Sequence, residues 1–486
     1  MNRNIFIVTM TNWLPNLEND IEPQERRGPL YMRLANRIES DIAQGILPPG
    51  TKLPPQRNLA FDIGVTIGTV GRAYNLIRER GLVTGEVGRG TYVTSHKDVP
   101  LVERSSTSTP FGGTRGAIIE PGNIRLDSTA AIDVGQSEPM ERLLQGILKQ
   151  YPREISSYSR TLPQSWLEAG SRWLSSAGWK PDLASIVPTL GAHSAILAII
   201  AAVTAPGDRI AFEDLTYCSA ARSVNLMGRR SIIMHTQAGF ATPDDFERLC
   251  AQQHPKLVFL MPSLHNPTAT TMPEENRRAI VDIARRYNVW IIEDEIYGSI
   301  MQNKHIAIAA LAPERTFHIG GLSKSVAAGV RGGWVACPPH LATRVYTAHK
   351  MVTGGMPFMM AELGAQLVNS GEADAIRSKV CAEVRDREAI AQEIFAGMDF
   401  NSQPLATFLW VKLPDPWLSA TFKNAALNEG VLIDDEDEFK PGRTEKAFHR
   451  VRLGVTVPAT REELRQGFSI IRRLMETSNA SYDSYS

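Results

Sequence analysis

The chain has 486 residues, of which 43% are hydrophobic and 21% are charged, and its formal net charge is zero. This composition is ordinary for a globular protein of two to four domains and excludes a disordered or fibrous chain. The charge is unevenly distributed, because residues 26–97 carry eleven Lys or Arg against five Asp or Glu. A basic segment in a neutral chain is expected when one domain meets nucleic acid and another does not.

The cysteines are far apart and form no CxxC pair, which argues against a disulfide framework or a metal site. They are Cys218, Cys250, Cys337 and Cys381. We therefore predict reduced thiols, no bound metal and a cytoplasmic location. The chain begins with too short an apolar run for a secretory signal, and its longest apolar helix candidate, residues 192–205, falls short of the roughly 20 residues that span a bilayer. No membrane segment is expected.

The basic region, residues 29–93, has the pattern of three helices followed by a hairpin. Helical spacing of apolar residues starts at Leu30, and a second, shorter helix is expected over residues 55–63. A third helix is expected over residues 67–79, with Thr66 as its N-cap. Two short strands with glycines at the bend then predict a wing. Together these elements predict a winged helix-turn-helix domain.

A helix-turn-helix domain presents the N-terminal half of its recognition helix to base edges, and nearby basic side chains contact phosphates or a groove. The predicted base contacts are Thr66, Thr69 and Arg72. The predicted phosphate or groove contacts are Lys52, Arg57 and, in the wing, Arg89. A three-helix module that binds another protein is the alternative, which the excess of positive charge disfavours.

Two stretches of this region resemble the winged-helix DNA-binding domain of the GntR family of bacterial transcription regulators. They are residues 47–60 (Leu-Pro-Pro-Gly-Thr-Lys-Leu-Pro-Pro-Gln-Arg-Asn-Leu-Ala) and residues 68–74 (Gly-Thr-Val-Gly-Arg-Ala-Tyr). The resemblance covers the whole of residues 29–93. It implies that the domain binds double-stranded DNA at promoter operators.

Segments without periodicity surround the two predicted domains. Residues 94–125 are rich in Ser, Thr, Gly and Pro and predict a flexible linker that would span on the order of 30 Å. Residues 1–28 are polar and are assigned only as an N-terminal extension that could pack on the winged helix. Residues 477–486 are assigned as a polar tail.

Residues 126–476 predict a second, larger domain of the α/β class. Strands and helices alternate over residues 180–340, which indicates βαβ units and a mainly parallel central sheet. The last hundred residues change to longer helices and polar loops, which predicts a smaller C-terminal α+β subdomain. The expected strands are residues 185–190, 209–212, 231–234, 256–261, 289–292, 316–319 and 334–337, and the expected helices include residues 191–203 and 274–286.

Lys324 lies in a loop of small residues between the predicted strands 316–319 and 334–337. Arg331 follows it by seven residues. An amine at the mouth of a buried sheet, with a guanidinium nearby, suits a Schiff base to an aldehyde cofactor that carries a phosphate. A surface lysine in a glycine-rich loop is the alternative on this stretch alone.

Further polar residues follow the carboxyl ends of other predicted strands, where open α/β sheets bind ligands. Residues 191–193 begin a helix, so their amides suit a phosphate. Tyr217 could stack on an aromatic ring, and Asn266 offers an amide to a phenolic oxygen. Asp294 could hold a pyridine nitrogen protonated, and Tyr297 follows it by three residues.

This constellation resembles that of the fold-type I aminotransferases, which bind pyridoxal 5′-phosphate (PLP), over residues of about 126–476. The resemblance implies that Lys324 forms the internal aldimine, that Asp294 pairs with the ring nitrogen, that Asn266 and Tyr297 hold the 3-hydroxyl oxygen, and that Tyr217 stacks on the ring. It assigns phosphate binding to Gly191, Ala192, His193, Ser323 and Arg331. It also implies that Tyr158 reaches across a dimer and that Arg452 clamps the carboxylate of a substrate or effector.

Three departures from that family's pattern bear on function. Gly321 removes a hydroxyl from the lysine loop, and Ala269 replaces the glycine of an Asn-Pro-Thr-Gly turn. The usual glycine-rich entry near Tyr158 is also absent. These departures leave the cofactor residues in place and argue against efficient turnover.

A GntR-type winged helix joined to an aminotransferase-like domain resembles the MocR subfamily of regulators. The resemblance implies a homodimeric DNA-binding transcription regulator in which the PLP pocket senses the cofactor or an amino compound. An active PLP-dependent aminotransferase, converting amino acids and 2-oxo acids and carrying a DNA-binding domain, is the alternative. A scaffold without cofactor is a third possibility.

Overall fold

The structure, a computed structural model, describes residues 13, 15, 29–86, 90–94, 122–158, 162–301, 305–442, 444 and 446–476. Arg89 and most of the predicted N-terminal extension, linker and C-terminal tail lie outside these residues. Internal contacts divide the chain into two compact units, with the division between residues 112 and 119. In the part of the chain that the structure describes, no helix is both long enough and apolar enough to cross a bilayer.

Among its described residues, the first unit contains three helices and one antiparallel hairpin, as predicted from the sequence. They are α1 (Leu30–Ala43), α2 (Gln56–Asp62), α3 (Ile67–Glu79), β1 (Val83–Glu86) and β2 (Gly90–Val93). The helices begin and end within a residue or two of their expected bounds. Thr66 caps α3, because its side chain accepts a hydrogen bond from the Thr69 amide at 3.3 Å.

The core of this unit is formed by the apolar faces of its helices and by the hairpin. Tyr74 of α3 is fully buried, and its hydroxyl donates to the carbonyl of Pro54 at 2.8 Å. Trp13 from the N-terminal extension also joins this core, with its indole Nε1 donating to Asp41 at 3.0 Å. At least this part of the extension therefore packs on the winged helix.

The second unit contains fifteen strands among its described residues, most of them short. They are β3 (Ile124–Arg125), β4 (Ile186–Thr189), β5 (Arg209–Glu213), β6 (Arg230–Met234), β7 (Thr236–Gln237), β8 (Phe240–Ala241), β9 (Leu257–Leu260), β10 (Trp290–Asp294), β11 (Thr316–Gly321), β12 (Gly333–Ala336), β13 (Phe400–Asn401), β14 (Phe408–Lys412), β15 (Val431–Leu432), β16 (Asp434–Asp435) and β17 (Arg450–Gly454). The helices are α4 (Ser137–Gln150), α5 (Pro152–Ile155), α6 (Gln164–Trp173), α7 (Gly191–Val203), α8 (Cys218–Leu226), α9 (Pro243–Gln253), α10 (Glu274–Arg286), α11 (Ile308–Leu311), α12 (Ala342–Thr353), α13 (Phe358–Asn369), α14 (Glu372–Ile394), α15 (Ser419–Asn428) and α16 (Arg461–Glu476).

The centre of the second unit is a seven-stranded sheet in the order β4-β12-β11-β10-β9-β5-β6. Strand β12 runs antiparallel to both of its neighbours, and the other pairs are parallel. Apolar clusters cover both faces, which explains why the strands are near-continuous apolar runs rather than alternating ones. The mainly parallel sheet confirms the predicted fold class.

A smaller antiparallel sheet lies in the C-terminal part of the second unit, in the order β13-β14-β17-β16. Helices α14, α15 and α16 supply apolar residues to its core. In this sheet Arg452 of β17 stands directly opposite Trp410 of β14 on one side and Asp434 of β16 on the other. The register therefore brings a basic and an acidic side chain together.

Candidate functional site

A cavity of about 250 Å³ opens where several strands of the large sheet end. It is lined by every residue of the large domain that the sequence assigned to the cofactor or to a substrate or effector, apart from Tyr158. These residues are Gly191, Ala192, His193, Tyr217, Asn266, Asp294, Tyr297, Ser323, Lys324, Arg331 and Arg452. Most of them come together because β4, β5, β9, β10 and β11 direct their carboxyl ends to the same edge of the sheet. Arg452 reaches the cavity from β17 of the smaller sheet.

The Lys324 amine is held by a chain of hydrogen bonds across the cavity. Its Nζ donates to Thr129 Oγ1 at 2.9 Å, and that oxygen lies 2.8 Å from the hydroxyl of Tyr297. The loop that carries the lysine is itself fixed, since the Leu322 amide donates to the carbonyl of Gly332 at 3.0 Å. The amine therefore has a defined position before any ligand binds.

Asp294 ends β10 and is only 4% exposed. Burial raises the pKa of its carboxyl to about 6, although the Ile296 amide and the charge of Lys324 oppose the rise. Its Oδ1 accepts a hydrogen bond from that amide at 3.1 Å. A buried carboxylate of this kind is stabilised by a cationic N–H group placed in the cavity beside it.

Next to Asp294 in the sheet lies a buried ion-pair network. The Glu293 carboxylate lies 2.7 Å from Nδ1 of His318, which stands opposite it on β11. Burial alone would lower the pKa of His318, but Glu293 leaves it raised. Arg277 lies between Glu293 and Glu295, at 3.9 and 3.6 Å from their carboxylates. This network fixes the strand end on which Asp294 stands.

At the other end of the cavity, the start of α7 faces Arg331. Gly191 begins the helix with a φ of +76°, and a side chain on the neighbouring Gly333 would come within 2.9 Å of its Cα. The close packing brings the first amides of a thirteen-residue helix to the cavity wall. Burial and the charge of Arg331 lower the pKa of His193, so the imidazole is neutral near pH 7. Amides, the helix dipole and a guanidinium make this end suited to a phosphate.

The structure gives a physical reason for the departure at Gly321 but not for the one at Ala269. A Cβ on Gly321 would lie 2.9 Å from the carbonyl oxygen of Gly332, so serine does not fit there without a backbone shift. Ala269 has a φ of 56°, in the left-handed region that glycine adopts at lower cost. Neither residue is among those that line the cavity.

Arg452 is fully buried, and its polar contacts are made within the protein. Its Nη1 donates to Asn266 Oδ1 at 2.8 Å, and its Nη2 donates to the carbonyl of Asp127 at 3.1 Å and to the carboxylate of Asp434. Its guanidinium also lies 4.9 Å from the ring centre of Phe439. The predicted carboxylate clamp lines the cavity but already holds a carboxylate.

In the first unit, the residues predicted to contact DNA lie at the start of α3 and beside it. Thr66, Arg57 and Arg72 are exposed, and Thr69 is half-buried. The ammonium of Lys52 lies 5.8 Å from the ring centre of Tyr92 in the hairpin. Exposed basic and hydroxyl side chains on the first turns of a recognition helix are the kind of group that reads a DNA groove, so the contacts assigned to these residues remain predictions.

Comparison with known proteins places these two units in known families. The sequence profile of aminotransferase class I and II matches residues 135–464. The chain belongs to this aminotransferase family. Its N-terminal residues 30–93 match the profile of bacterial regulatory proteins of the gntR family. A gntR-type N-terminal domain joined to an aminotransferase-family domain is the architecture of the MocR subfamily, as the sequence predicted.

Relatives that match along much of the chain are named as transcription regulators. The uncharacterized HTH-type transcriptional regulator YdeF of Bacillus subtilis is 29% identical over 471 residues, which are 96% of this chain and 97% of the relative. The probable rhizopine catabolism regulatory protein MocR of Rhizobium meliloti is 23% identical over 65% of this chain and 66% of its own length. This aminotransferase-family protein is a transcription regulator.

Solved aminotransferases share the fold of the second unit. The α-aminoadipate aminotransferase LysN of Thermus thermophilus has a TM-score of 0.68 at 16% identity, with 80% of this chain and 98% of LysN covered. An archaeal alanine:glyoxylate aminotransferase has a TM-score of 0.66 at 20% identity, with 73% and 91% covered. The fold of this regulator's second unit is therefore that of the aminotransferase family.

The site in the structure differs from the predicted site by one residue that lies outside the cavity and by two residues that the sequence did not identify. Tyr158 lies outside the cavity and is 95% exposed, and its role across a dimer remains a prediction. Thr129 and Asp434 were missed, although Thr129 holds the lysine amine and Asp434 holds Arg452. Neither residue follows a strand of the large sheet, so the rule that located the other residues did not apply to them.

Proposed function

We propose that this transcription regulator binds PLP at Lys324 and that occupancy of the cavity by the cofactor or an amino compound sets its affinity for operator DNA. The observation that carries the proposal is that Lys324, Asp294 and Arg331 line one cavity at the strand ends. PLP, when bound, supplies an aldehyde carbon that bonds to amines and a ring that withdraws electrons. The LysN structure, whose fold is shared, was solved with a phosphopyridoxyl-leucine compound bound.

Each part of the cavity suits one part of that cofactor. Lys324 supplies the amine, held in place by Thr129. Asp294 favours a protonated ring nitrogen because a cation there stabilises its buried carboxylate. Arg331, Ser323 and the first amides of α7 receive the phosphate. Asn266 and Tyr297 are assigned to the phenolic oxygen and Tyr217 to the ring face.

Sensing requires that a ligand distinguish two arrangements of the regulator. An effector shifts DNA affinity only if it binds one arrangement of the DNA-binding domains better than another. We propose that the regulator acts in the cytoplasm as a homodimer, which would present two winged-helix domains to two operator half-sites. The exposed Tyr158 is assigned to the partner's cavity on this proposal.

The phosphate assignment is tested by comparing PLP with pyridoxal, which lacks the phosphate. We expect Arg331→Ala to weaken PLP binding about 10- to 100-fold, because a charge-assisted hydrogen bond contributes roughly 1.5–3 kcal/mol. Pyridoxal binding should change little. Absorbance titration of the purified variants measures both. Arg344→Ala, which removes an exposed arginine of α12, is the matched control. Equal losses for the two ligands would refute the assignment.

The DNA assignment is tested on the third helix. Arg72→Ala is expected to reduce affinity for the protein's own promoter DNA by roughly 1–3 kcal/mol, since Arg72 is placed against base edges. Arg57→Ala should instead weaken all sequences alike and lower the salt slope by about 1. Arg78→Ala, on the last turn of the same helix, is the control and should retain affinity. Gel shifts at several stated salt concentrations report all three, and full affinity in Arg72→Ala would contradict the placement of the recognition helix.

A further inference from the structure

The partners of Arg452 leave little of its guanidinium for a ligand. Arg452 and Asp434 face each other across neighbouring strands, and each is 1% exposed. Both hydrogens of Nη2 have acceptors, since this nitrogen donates to the Asp434 carboxylate and to the Asp127 carbonyl. One hydrogen of Nη1 is directed at Asn266. The Arg452 charge is therefore neutralised inside the protein.

This arrangement blocks the two-point contact by which arginine holds a carboxylate. A guanidinium has two edges that form such a fork, Nη1 with Nη2 and Nε with Nη2. Both edges need Nη2, whose hydrogens are occupied. A ligand carboxylate would have to displace Asp434, and that would leave a buried carboxylate without its partner, which is strongly unfavourable.

The other cationic side chains of the cavity do not take over the binding of a ligand carboxylate from Arg452. The cationic side chains that line it are Lys324, Arg331 and Arg452. On the proposed function, Lys324 bonds to the cofactor and Arg331 receives its phosphate. Arg452 is the remaining cation, and Asp434 balances it. A second carboxylate beside this pair would give the site a net negative charge in a region of low dielectric constant.

We propose that Asp434 takes the place of a ligand's carboxylate, so that the compound accepted by the cavity is a primary amine without a carboxylate on its α-carbon. The inference rests on the proposed function, because it concerns the amine that replaces Lys324 at the cofactor's aldehyde carbon. In that exchange one C–N bond forms to the incoming amine and the C–N bond to Lys324 breaks. The hydrogens that the incoming ammonium nitrogen loses end on Lys324 Nζ, which is released as an ammonium, and no oxidant or reductant is needed.

Matched pairs of ligands that differ only in the carboxylate test this inference. L-Alanine is compared with ethylamine, and L-leucine with 3-methylbutylamine, by titrating the absorbance of the PLP-loaded protein. In the wild type we expect each amine to reach half-saturation at a concentration at least tenfold lower than its amino acid. In Asp434→Asn, which frees the charge of Arg452, the amine-to-amino-acid preference should fall at least tenfold. Asp435→Asn changes the next residue, a carboxylate paired with Lys423, and should keep the wild-type preference.

A second measurement separates this inference from the proposed function. Without PLP, propionate should not raise the melting temperature of the wild type but should raise that of Asp434→Asn. If no absorbance develops with PLP, the proposed function fails, while the propionate comparison still decides whether Asp434 blocks the clamp. A wild type that prefers the amino acids, or that is stabilised by propionate as much as Asp434→Asn, would overturn the inference. The wild-type comparison needs no variant and stands even if Asp434→Asn does not fold.

Discussion

Replacement of Lys324 by alanine is expected to abolish the visible absorbance band that the protein gives with PLP. The reason is that Lys324 is the amine of the cavity that can bond covalently to the aldehyde carbon, with its Nζ held by Thr129. Arg331, Asp294 and the α7 amides would still bind PLP without a covalent bond, so we expect weaker, reversible binding rather than none. Absorbance spectra after dialysis measure the difference.

The matched control for this experiment is Lys350→Ala, which removes an exposed lysine at the end of α12. It should retain the band and the affinity of the wild type. The Lys324→Ala protein should also remain folded by circular dichroism, because the lost hydrogen bond contributes about 1 kcal/mol. An undiminished band in Lys324→Ala would show that a different group binds the aldehyde.

Replacement of Asp294 by asparagine is expected to stabilise the protein without PLP and to weaken its binding of PLP. Burial raises the pKa of Asp294 to about 6 from 3.8, so between these pH values the folded protein holds a proton that the unfolded chain has released. Stability is therefore lost as the pH rises through this window, by on the order of 3 kcal/mol once both states are ionised. Asparagine keeps the acceptor for the Ile296 amide but has no charge to bury.

Thermal unfolding at two pH values measures this effect. At pH 8 without PLP, Asp294→Asn should unfold a few degrees above the wild type, and at pH 4 the two should unfold together. With PLP, the unfolding temperature of the variant should be no higher than that of the wild type, since the variant lacks a negative partner for the ring nitrogen. Asp182→Asn, at an exposed aspartate, should show neither effect. An equal shift at both pH values would indicate a packing change rather than relief of a buried charge.

Much of this site was predictable because strand ends converge in a parallel sheet. Periodicity located α3, α7 and α10 to the residue and most of the large strands within one or two residues. Once those ends were placed, Asp294 and Lys324 had to lie near one another. The antiparallel strand β12 does not disturb this rule, since it enters the sheet beside β11 without adding a carboxyl end to the cavity edge.

The residues that were missed depend on contacts with no local pattern. Thr129 reaches Lys324 across 195 residues of chain, in a stretch without regular periodicity. Asp434 begins an acidic run, residues 434–438, whose composition is that of a solvated loop. In the structure the first three residues of this run are buried, and Arg452, Lys423 and Lys440 neutralise them. Only the fold reveals which acids meet which bases.

Coupling between the cavity and DNA is the central claim, and DNA affinity as a function of ligand occupancy tests it most directly. Affinity for the protein's own promoter DNA is measured at one stated salt concentration for the PLP-free protein, the PLP-loaded protein and the PLP-loaded protein with a primary amine. We predict at least a fivefold change in Kd between two of these states, an equal reciprocal change in ligand affinity, and no such change in Lys324→Ala. Identical DNA affinity in all three states, with sustained release of 2-oxo acid from amino donors, would instead identify an active aminotransferase that carries a DNA-binding domain.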